Sequence, residues 1–206
     1  MDKLDMKKEL KQLYKPTAKQ GFTIVEVPPL NYLMIDGAGD PNTSEEYQQA
    51  MEALYGLSYS LKFMLKPRAD FPDFAIMPLE GLWWAKDMEV FMQEDKESWL
   101  WTMMIAQPDF ITTEMVIEAS EILRKKKDVP ALDLLRFERY EAGASAQILY
   151  LGAYADEAPT IKALHEFIKT EGYQRRGKHH EIYLGDPRRV PPERLKTILR
   201  QPIVRG

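Results

Sequence analysis

The sequence predicts an α+β fold in which two strand–helix–strand–strand modules form one antiparallel sheet with a central ligand groove. The first observation is that this order of elements occurs twice along the 206 residues. The second is that a helix in each half carries an apolar stripe at helical spacing, which must be buried against a neighbouring layer. Repetition of the element order indicates a duplicated module, and two such modules would pair about a pseudo-twofold axis.

The repeat divides the chain into four segments that together form a single domain over residues 1–206. Residues 1–20 are rich in lysine and are predicted to be a loosely packed arm. The first module spans residues 21–107 and the second spans residues 133–206. A connecting helix occupies residues 108–132 between them.

The first module opens with a β-rich segment, Phe22 to Ile35, that contains Pro28-Pro29. Because proline cannot donate to a strand ladder, this segment is either an edge strand with a bulge or two short strands end to end. A long helix is predicted from its cap, Ser44, to Lys66. Its buried stripe consists of Ala50, Leu54, Leu57, Leu61 and Met64.

Two strand regions complete the first module. Asp73 to Trp84 and Trp99 to Ile105 are predicted to pair antiparallel across a charged loop from Lys86 to Glu97. Because side chains alternate along a strand, Glu80 and Trp84 share one face of the first region.

The second half repeats the pattern after a helix that is capped by Thr112 or Thr113. The capped helix is predicted to end at Lys126. The elements that follow are a strand-like region from Leu134 to Leu151, a helix from Glu157 to Glu171 closed by Gly172, a strand within Gly177 to Pro187, and a last strand from Leu195 to Ile203.

Composition excludes several classes of protein. The net charge is −4, whereas a nucleic-acid-binding protein normally carries a basic surface. The absence of cysteine rules out disulfides and thiolate metal sites, and it fits a reducing cytoplasm. No apolar run approaches the roughly 20 residues of a membrane span. We therefore expect a cytoplasmic protein with no membrane association, of undetermined oligomeric state.

The strand within Gly177 to Pro187 carries the candidate site. Alternation places His179, Glu181 and Tyr183 on one face and His180 on the other. A carboxylate two residues from a phenol could bind an aromatic or cationic small molecule. The alternative is a solvent-facing glutamate beside an amphipathic tyrosine, which is common on half-exposed strands.

The first module offers a second carboxylate for the same groove. Glu80 with Trp84 and Glu181 with Tyr183 follow the helices of their modules at corresponding places, which predicts an aromatic pocket with one or two carboxylates. Tyr55, on the first helix, either lines this pocket or holds its hydroxyl in water. Binding and catalysis look alike at this stage, because a carboxyl in an apolar pocket suits both.

Other chemistries have weaker support. His179 and Glu181 could reach one metal ion, but no third ligand is evident, so no metal site is expected. His165 lies one position from the buried stripe of its helix and is either a structural histidine or a ligand contact. The sequence contains neither a Gly-x-Ser-x-Gly elbow nor a phosphate-binding loop, and no cofactor is expected.

Short blocks of sequence distributed along the chain carry a family resemblance. They are Val27-Pro28-Pro29-Leu30, Ile35 to Asn42, Leu54-Tyr55, Pro78 to Trp84, Gln107 to Phe110, Gly177 to Leu184, Asp186 to Arg189 and Lys196 to Pro202. In combination, these blocks resemble the stand-alone GyrI-like small-molecule-binding proteins, which are related to the effector domains of AraC-type and multidrug-sensing regulators. The resemblance covers nearly the whole chain from about residue 20.

The resemblance implies a function for the groove. In the drug-sensing relatives, a glutamate at the position of Glu181 lies at the floor of an aromatic pocket. A similar subfamily hydrolyses cyclopropane-bearing, DNA-alkylating natural products of the yatakemycin type. By this resemblance, Glu181 would orient or deprotonate the attacking water, and a tyrosine hydroxyl would donate to the carbonyl that becomes a phenolate. Tyr55 is the first choice for that donor and Tyr183 is the second.

The remaining ligand contacts are predicted only from the face of the strand or helix on which each side chain lies. Trp84, Trp101 and Phe167 are candidates for the aromatic cage, and Glu80 and His165 for further ligand contacts. The expected partner is a bulky aromatic small molecule. The sequence shows no DNA-binding segment, which disfavours a transcription factor. Two functions stay open, a detoxifying hydrolase and a binding module that sequesters such compounds without turnover.

Overall fold

The structure is a computed structural model that describes residues 3–85 and 98–206. Within these residues nine strands pair antiparallel, in the order β1-β6-β9-β8-β3-β4-β2-β5, with β7 added to β9. The strands are β1 (Thr23–Val27), β2 (Leu30–Ala38), β3 (Leu79–Trp84), β4 (Leu100–Gln107), β5 (Arg136–Tyr140), β6 (Gly143–Leu151), β7 (Tyr173–Arg175), β8 (His179–Tyr183) and β9 (Lys196–Arg205).

The strand order is symmetric about the junction of β3 and β8, as a duplicated module requires. On these two strands Gly81 lies directly opposite Glu181. A twofold rotation through that pair exchanges the pair Leu79–Tyr183 with the pair Trp83–His179. The predicted α+β fold with a duplicated module is therefore confirmed, while the residue bounds of the two modules stay a prediction.

The first strand of each module crosses to the other module. β1 pairs with β6, and β5 pairs with β2. Each module thus completes the outer edge of its partner, which ties the two halves into one sheet. The sequence pattern did not predict this exchange.

Five α-helices accompany the described part of the sheet. They are α1 (Met6–Glu9), α2 (Lys11–Tyr14), α3 (Glu45–Leu65), α4 (Thr113–Lys126) and α5 (Ala158–Thr170). Ser44 caps α3 by accepting from the Tyr47 backbone N–H, and Thr112 caps α4. None of the helices in residues 3–85 and 98–206 is long and apolar enough to cross a membrane.

The helices α3 and α5 lie on the same face of the sheet. Tyr47 of α3 packs against Trp83, whose ring nitrogen bonds to Tyr183 on β8. Leu199, directly opposite Glu181 on β9, packs in the apolar cluster of α5. The face of β8 that carries Glu181 therefore lies between the two helices, at the junction of the modules.

The segment before residue 21 differs from the prediction of a loose arm. Leu13 and Tyr14 are buried, and the Tyr14 hydroxyl donates a 2.7 Å hydrogen bond to Glu80 Oε1. Arg200, fully buried on β9, donates to the Leu13 carbonyl. This segment covers the face of the sheet opposite α3 and α5, so it is part of the core.

Two further differences concern individual elements. Pro28-Pro29 separates two strands, β1 and β2, which decides between the two alternatives for that segment. Met64 is only half-buried, and Leu65 takes its place in the stripe. The charged loop predicted from Lys86 to Glu97 lies outside the described residues.

Candidate functional site

Glu181 occupies the middle of β8, a central strand of the sheet. Its side chain is 13% exposed, so the carboxylate is largely buried and keeps a small exposed fraction. Oε2 accepts a 2.7 Å hydrogen bond from the Tyr183 hydroxyl, and Oε1 lies 3.2 Å from His179 Nε2. Two neighbours on its own strand therefore fix the orientation of the carboxylate. The structure brings Glu181 and Tyr183 together as the sequence predicted.

The Tyr183 hydroxyl is held from the other module as well. Trp83 Nε1 donates a 2.8 Å hydrogen bond to it, so consecutive hydrogen bonds link Trp83 through Tyr183 to Glu181. Gly81 leaves space for these hydrogen-bonded side chains, because a Cβ at that position would lie 2.6 Å from Trp83 Nε1 and 3.1 Å from the Tyr183 hydroxyl. A side chain directly opposite Glu181 would displace one of these groups.

Further aromatic rings contact Trp83 and Tyr183. Tyr47 stacks on Trp83 with ring centroids 6.4 Å apart, and Tyr154 meets Tyr183 edge-on at 5.5 Å. Burial, followed by the charge of Glu181, raises the pKa of Tyr47 and of Tyr183. Both phenols therefore keep their protons at neutral pH and act as hydrogen-bond donors.

Tyr55 lies at the Tyr183 end of the site. The Leu79 backbone is beside its hydroxyl, and Leu79 is directly opposite Tyr183 across the β3–β8 pair. Burial, followed by the charge of Asp186, raises the pKa of Tyr55. This places Tyr55, half-buried, at the rim of the junction, beside Leu79 and not against the Glu181 carboxylate.

Glu80 and Trp84 lie on the opposite face of the sheet, so they do not share a groove with Glu181. Glu80 is directly opposite Ile182, not Glu181, and it is fully buried. Its carboxylate is bonded by Tyr14 and lies 2.7 Å from His180 Nε2. Trp84 instead stacks under the Lys178 ammonium. The predicted correspondence of Glu80 with Glu181 was wrong by one residue, which reverses the face of a side chain on a strand.

The other expected contacts are dispersed. Trp101 is fully buried and supports Tyr47 at a ring distance of 5.4 Å, so it backs the aromatic group from the core. Phe167 stacks on Phe22 at 5.3 Å, within the apolar cluster of α5. His165 Nδ1 lies 3.2 Å from Arg175 Nη1. The structure therefore does not bring Phe167 or His165 into contact with the Glu181 carboxylate.

A second carboxyl group at the site was missed by the sequence reasoning. Glu157 precedes α5 and is 4% exposed. Burial, followed by the charge of Glu181, raises its pKa to about 9, while the neighbouring Thr197 acts in the opposite direction. From the sequence alone, Glu157 is only the first residue of a predicted helix. The one available signal was weak: glutamate is not among the residues preferred at an N-cap.

Two cavities lie away from Glu181. One of about 590 Å³ runs along α5 and β7 and is lined by His165 and Arg175. The other, of about 320 Å³, opens on the opposite face and is lined by Arg136 and Lys178. Within the described part of the chain, no group of three or more acidic or histidine side chains is arranged to hold a metal ion.

A duplicated α+β sheet that carries the Glu181 carboxylate among tyrosine and tryptophan rings, where its two halves meet, is the arrangement expected of a small-molecule-binding module. The chain belongs to the family of GyrI-like small-molecule-binding domains, whose model matches residues 21–204. This confirms the resemblance noted in the sequence. None of the curated proteins matches the chain.

Several solved structures are similar to this chain. An uncharacterized conserved protein from Listeria innocua is 43% identical, with a TM-score of 0.90 over 98% of this chain and 100% of that protein. A protein described as a hydrolase from Listeria innocua is 40% identical, with a TM-score of 0.86 over the same shares. The EcmrR C-terminal domain is only 10% identical, with a TM-score of 0.55 over 90% of this chain and 98% of that domain, and shares the fold.

Proposed function

We propose that this chain is a hydrolase that opens the cyclopropane ring of bulky, planar, DNA-alkylating compounds of the yatakemycin type. The observation that carries the proposal is the Glu181 carboxylate, which is largely buried, held by Tyr183 and surrounded by aromatic rings. The 40% identity to a Listeria innocua protein described as a hydrolase supports an enzymatic role. The family supports a small-molecule ligand.

The reaction would be an addition of water to a strained ring. Glu181 would orient a water molecule and take its proton as the oxygen attacks the ring carbon. The carbon–oxygen bond forms as a cyclopropane carbon–carbon bond breaks. The electron pair of the broken bond moves into the conjugated carbonyl, which becomes a phenolate. A hydrogen-bond donor at that oxygen stabilises the charge that develops there.

The tyrosines would divide two roles between them. Because the Tyr183 hydroxyl already donates to Glu181 and accepts from Trp83, its task in this scheme is to hold the carboxylate. The Tyr55 hydroxyl is not engaged with the Glu181 carboxylate in this way, and it is the better candidate for the hydrogen-bond donor at the developing phenolate. This keeps Tyr55 ahead of Tyr183 for the donor role.

The rings would hold the planar part of the ligand. Stacking and edge contacts with aromatic side chains supply area and orientation without a fixed sequence of hydrogen bonds. Tyr47, Trp83 and Tyr154 are the rings beside Glu181 that could serve, and Trp101 supports Tyr47 from the core. Trp84 and Phe167 have no place in this arrangement.

The second candidate function is binding without turnover, which the small-molecule-binding character of the family favours. Incubation of the protein with a cyclopropyl-indole alkylator, followed by mass spectrometry, separates the two. The hydrolase proposal expects many molecules of ring-opened product for each protein molecule. Stoichiometric capture of intact ligand would favour sequestration and overturn the hydrolase proposal.

A further inference from the structure

Glu157 is a buried carboxyl group with no evident structural task. It stands at the N-terminal end of α5 but makes no side-chain capping bond there. Its Oε1 and the Thr197 Oγ1 are both buried, and among the described residues the polar contact they make is with each other. A buried carboxyl group with so little hydrogen bonding is costly, and a ligand oxygen that accepts a hydrogen bond from it would offset that cost.

The position of Glu157 connects it to the Glu181 site. Thr197, its neighbour, lies directly opposite Tyr183 across the β8–β9 pair. The titratable groups that face Glu157 are Glu181 and Tyr183 from β8, Tyr150 from β6, and Tyr154 from the segment before α5. Among residues 3–85 and 98–206, no cation acts on its pKa. Glu157 is therefore protonated at neutral pH, whereas a free glutamate would be ionised.

We propose that Glu157 is the acid of the site: it donates its proton to the ligand oxygen that gains charge as the ring opens, while Glu181 acts as the base. This inference rests on the proposed hydrolase function. It pairs two carboxyl groups in different environments: Glu157 is buried beside α5, and Glu181 is held on β8 by Tyr183. The tyrosines do not supply this proton, because burial raises the pKa of Tyr55 and of Tyr183 and both keep their protons. Tyr55 gives the same oxygen a hydrogen bond, and Glu157 transfers the proton.

The step balances without a further reactant. Water gives its oxygen and one hydrogen to the ring carbon, and its other proton goes to Glu181. The phenolate oxygen takes the proton of Glu157 and becomes a phenol. Return of one proton from Glu181 to Glu157, past the Tyr183 hydroxyl that contacts Glu181, restores both groups. The sum is one ligand and one water converted to one ring-opened product.

The test compares Glu157→Gln with the wild-type protein in turnover of a cyclopropyl-indole alkylator. Glutamine keeps the shape and cannot supply a proton, so kcat at pH 7 should fall by about 100-fold or more, while Kd changes by less than about threefold. Wild-type kcat should fall as the pH rises through the Glu157 pKa of about 9, and this decline should be missing in Glu157→Gln. Glu157→Asp, which keeps an acid, should recover part of the rate.

The matched control is Glu171→Gln, a carboxyl-to-amide change at the exposed end of the same helix, which should leave kcat unchanged. Wild-type kcat in Glu157→Gln, with the alkaline decline intact, would overturn the inference and leave the hydrolase proposal standing. Absence of turnover by the wild-type protein would overturn both.

A second readout does not depend on turnover. The folded-state pKa of Glu157 is about 9, above the ordinary value of 4.5. Between these two values the folded protein holds a proton that the unfolded chain has lost. The contribution of this group to the free energy of unfolding is therefore complete below pH 4.5 and is lost as the pH rises toward 9. The wild-type melting temperature should therefore decline over that range more steeply than that of Glu157→Gln. Equal pH dependence in both proteins would contradict the proton placement.

Discussion

Gly81 and Glu181 face each other across the β3–β8 junction, at positions that the internal twofold relates to one another. The duplicated sheet is therefore asymmetric at this pair of positions: one module carries a carboxylate there, and the other carries a glycine without a side chain. The same rotation relates Trp83 to Tyr183, and these two side chains meet in the space above Gly81. The site is thus built by the divergence of two equivalent strands.

Gly81→Ala should disturb this arrangement. The added Cβ would lie 2.6 Å from Trp83 Nε1 and 3.2 Å from Met103 Sδ, and overpacking of this kind costs about 1–3 kcal/mol. The urea midpoint should fall accordingly. Gly56→Ala is the matched control, because its Cβ would meet only the flexible end of Leu123 and alanine is preferred in a helix by roughly 0.5–1 kcal/mol. Equal midpoints for the two variants would contradict the packing described for Gly81.

Tyr183→Phe should slow turnover without preventing folding. The change removes the hydrogen bond to Glu181 and leaves Trp83 Nε1 without its acceptor. Hydrogen bonds to charged groups contribute about 1.5–3 kcal/mol, so we expect kcat to fall by about 10- to 100-fold. Tyr59→Phe, on the exposed side of α3, should keep the wild-type rate. A wild-type kcat in Tyr183→Phe would remove this residue from the support of Glu181.

Tyr55→Phe tests the donor at the developing phenolate. Loss of one such donor typically costs about 100- to 1000-fold in kcat, and we expect Kd to stay within about tenfold because the ring is retained. Single-turnover kinetics with titrated ligand measures both quantities. If Tyr55→Phe hydrolyses at the wild-type rate, the donor is another residue.

Tyr14→Phe should affect stability and not turnover. Glu80 Oε1 would lose the 2.7 Å bond from Tyr14, and a buried acceptor left unsatisfied costs about 1–3 kcal/mol. Because Glu80 lies on the face opposite Glu181, kcat measured well below the melting temperature should equal that of the wild type. A loss of kcat in a fully folded Tyr14→Phe would place the Glu80 network in the reaction.

The fold was largely predictable because its signals are local. Helical spacing of apolar residues defined α3, and the caps at Ser44 and Thr112 fixed the beginnings of α3 and α4. Alternation along β8 placed Glu181 and Tyr183 on one face, which needs no knowledge of the neighbouring strands. What could not be predicted was the exchange of β1 and β5 between modules, because that depends on pairing between distant segments.

The candidate site was predicted only in part, and the reasons are geometric. The register between β3 and β8 decides whether Glu80 or Gly81 faces Glu181, and a shift of one residue exchanges the two faces. The burial of Glu157 depends on how α5 sits over β8 and β9, which its own neighbours in sequence do not reveal. Tyr14 was placed in a loose arm because its partner, Glu80, is distant in the chain.

The role of Glu181 is tested most directly by Glu181→Gln in isotopically labelled water, with the ring-opened product of a cyclopropyl-indole alkylator analysed by mass spectrometry. We expect multiple turnovers by the wild-type protein, with one labelled oxygen in each product molecule. Glu181→Gln should produce none above background while binding the ligand within about tenfold of wild-type affinity. Turnover at the wild-type rate by Glu181→Gln would contradict the assignment of Glu181 as the base that activates water.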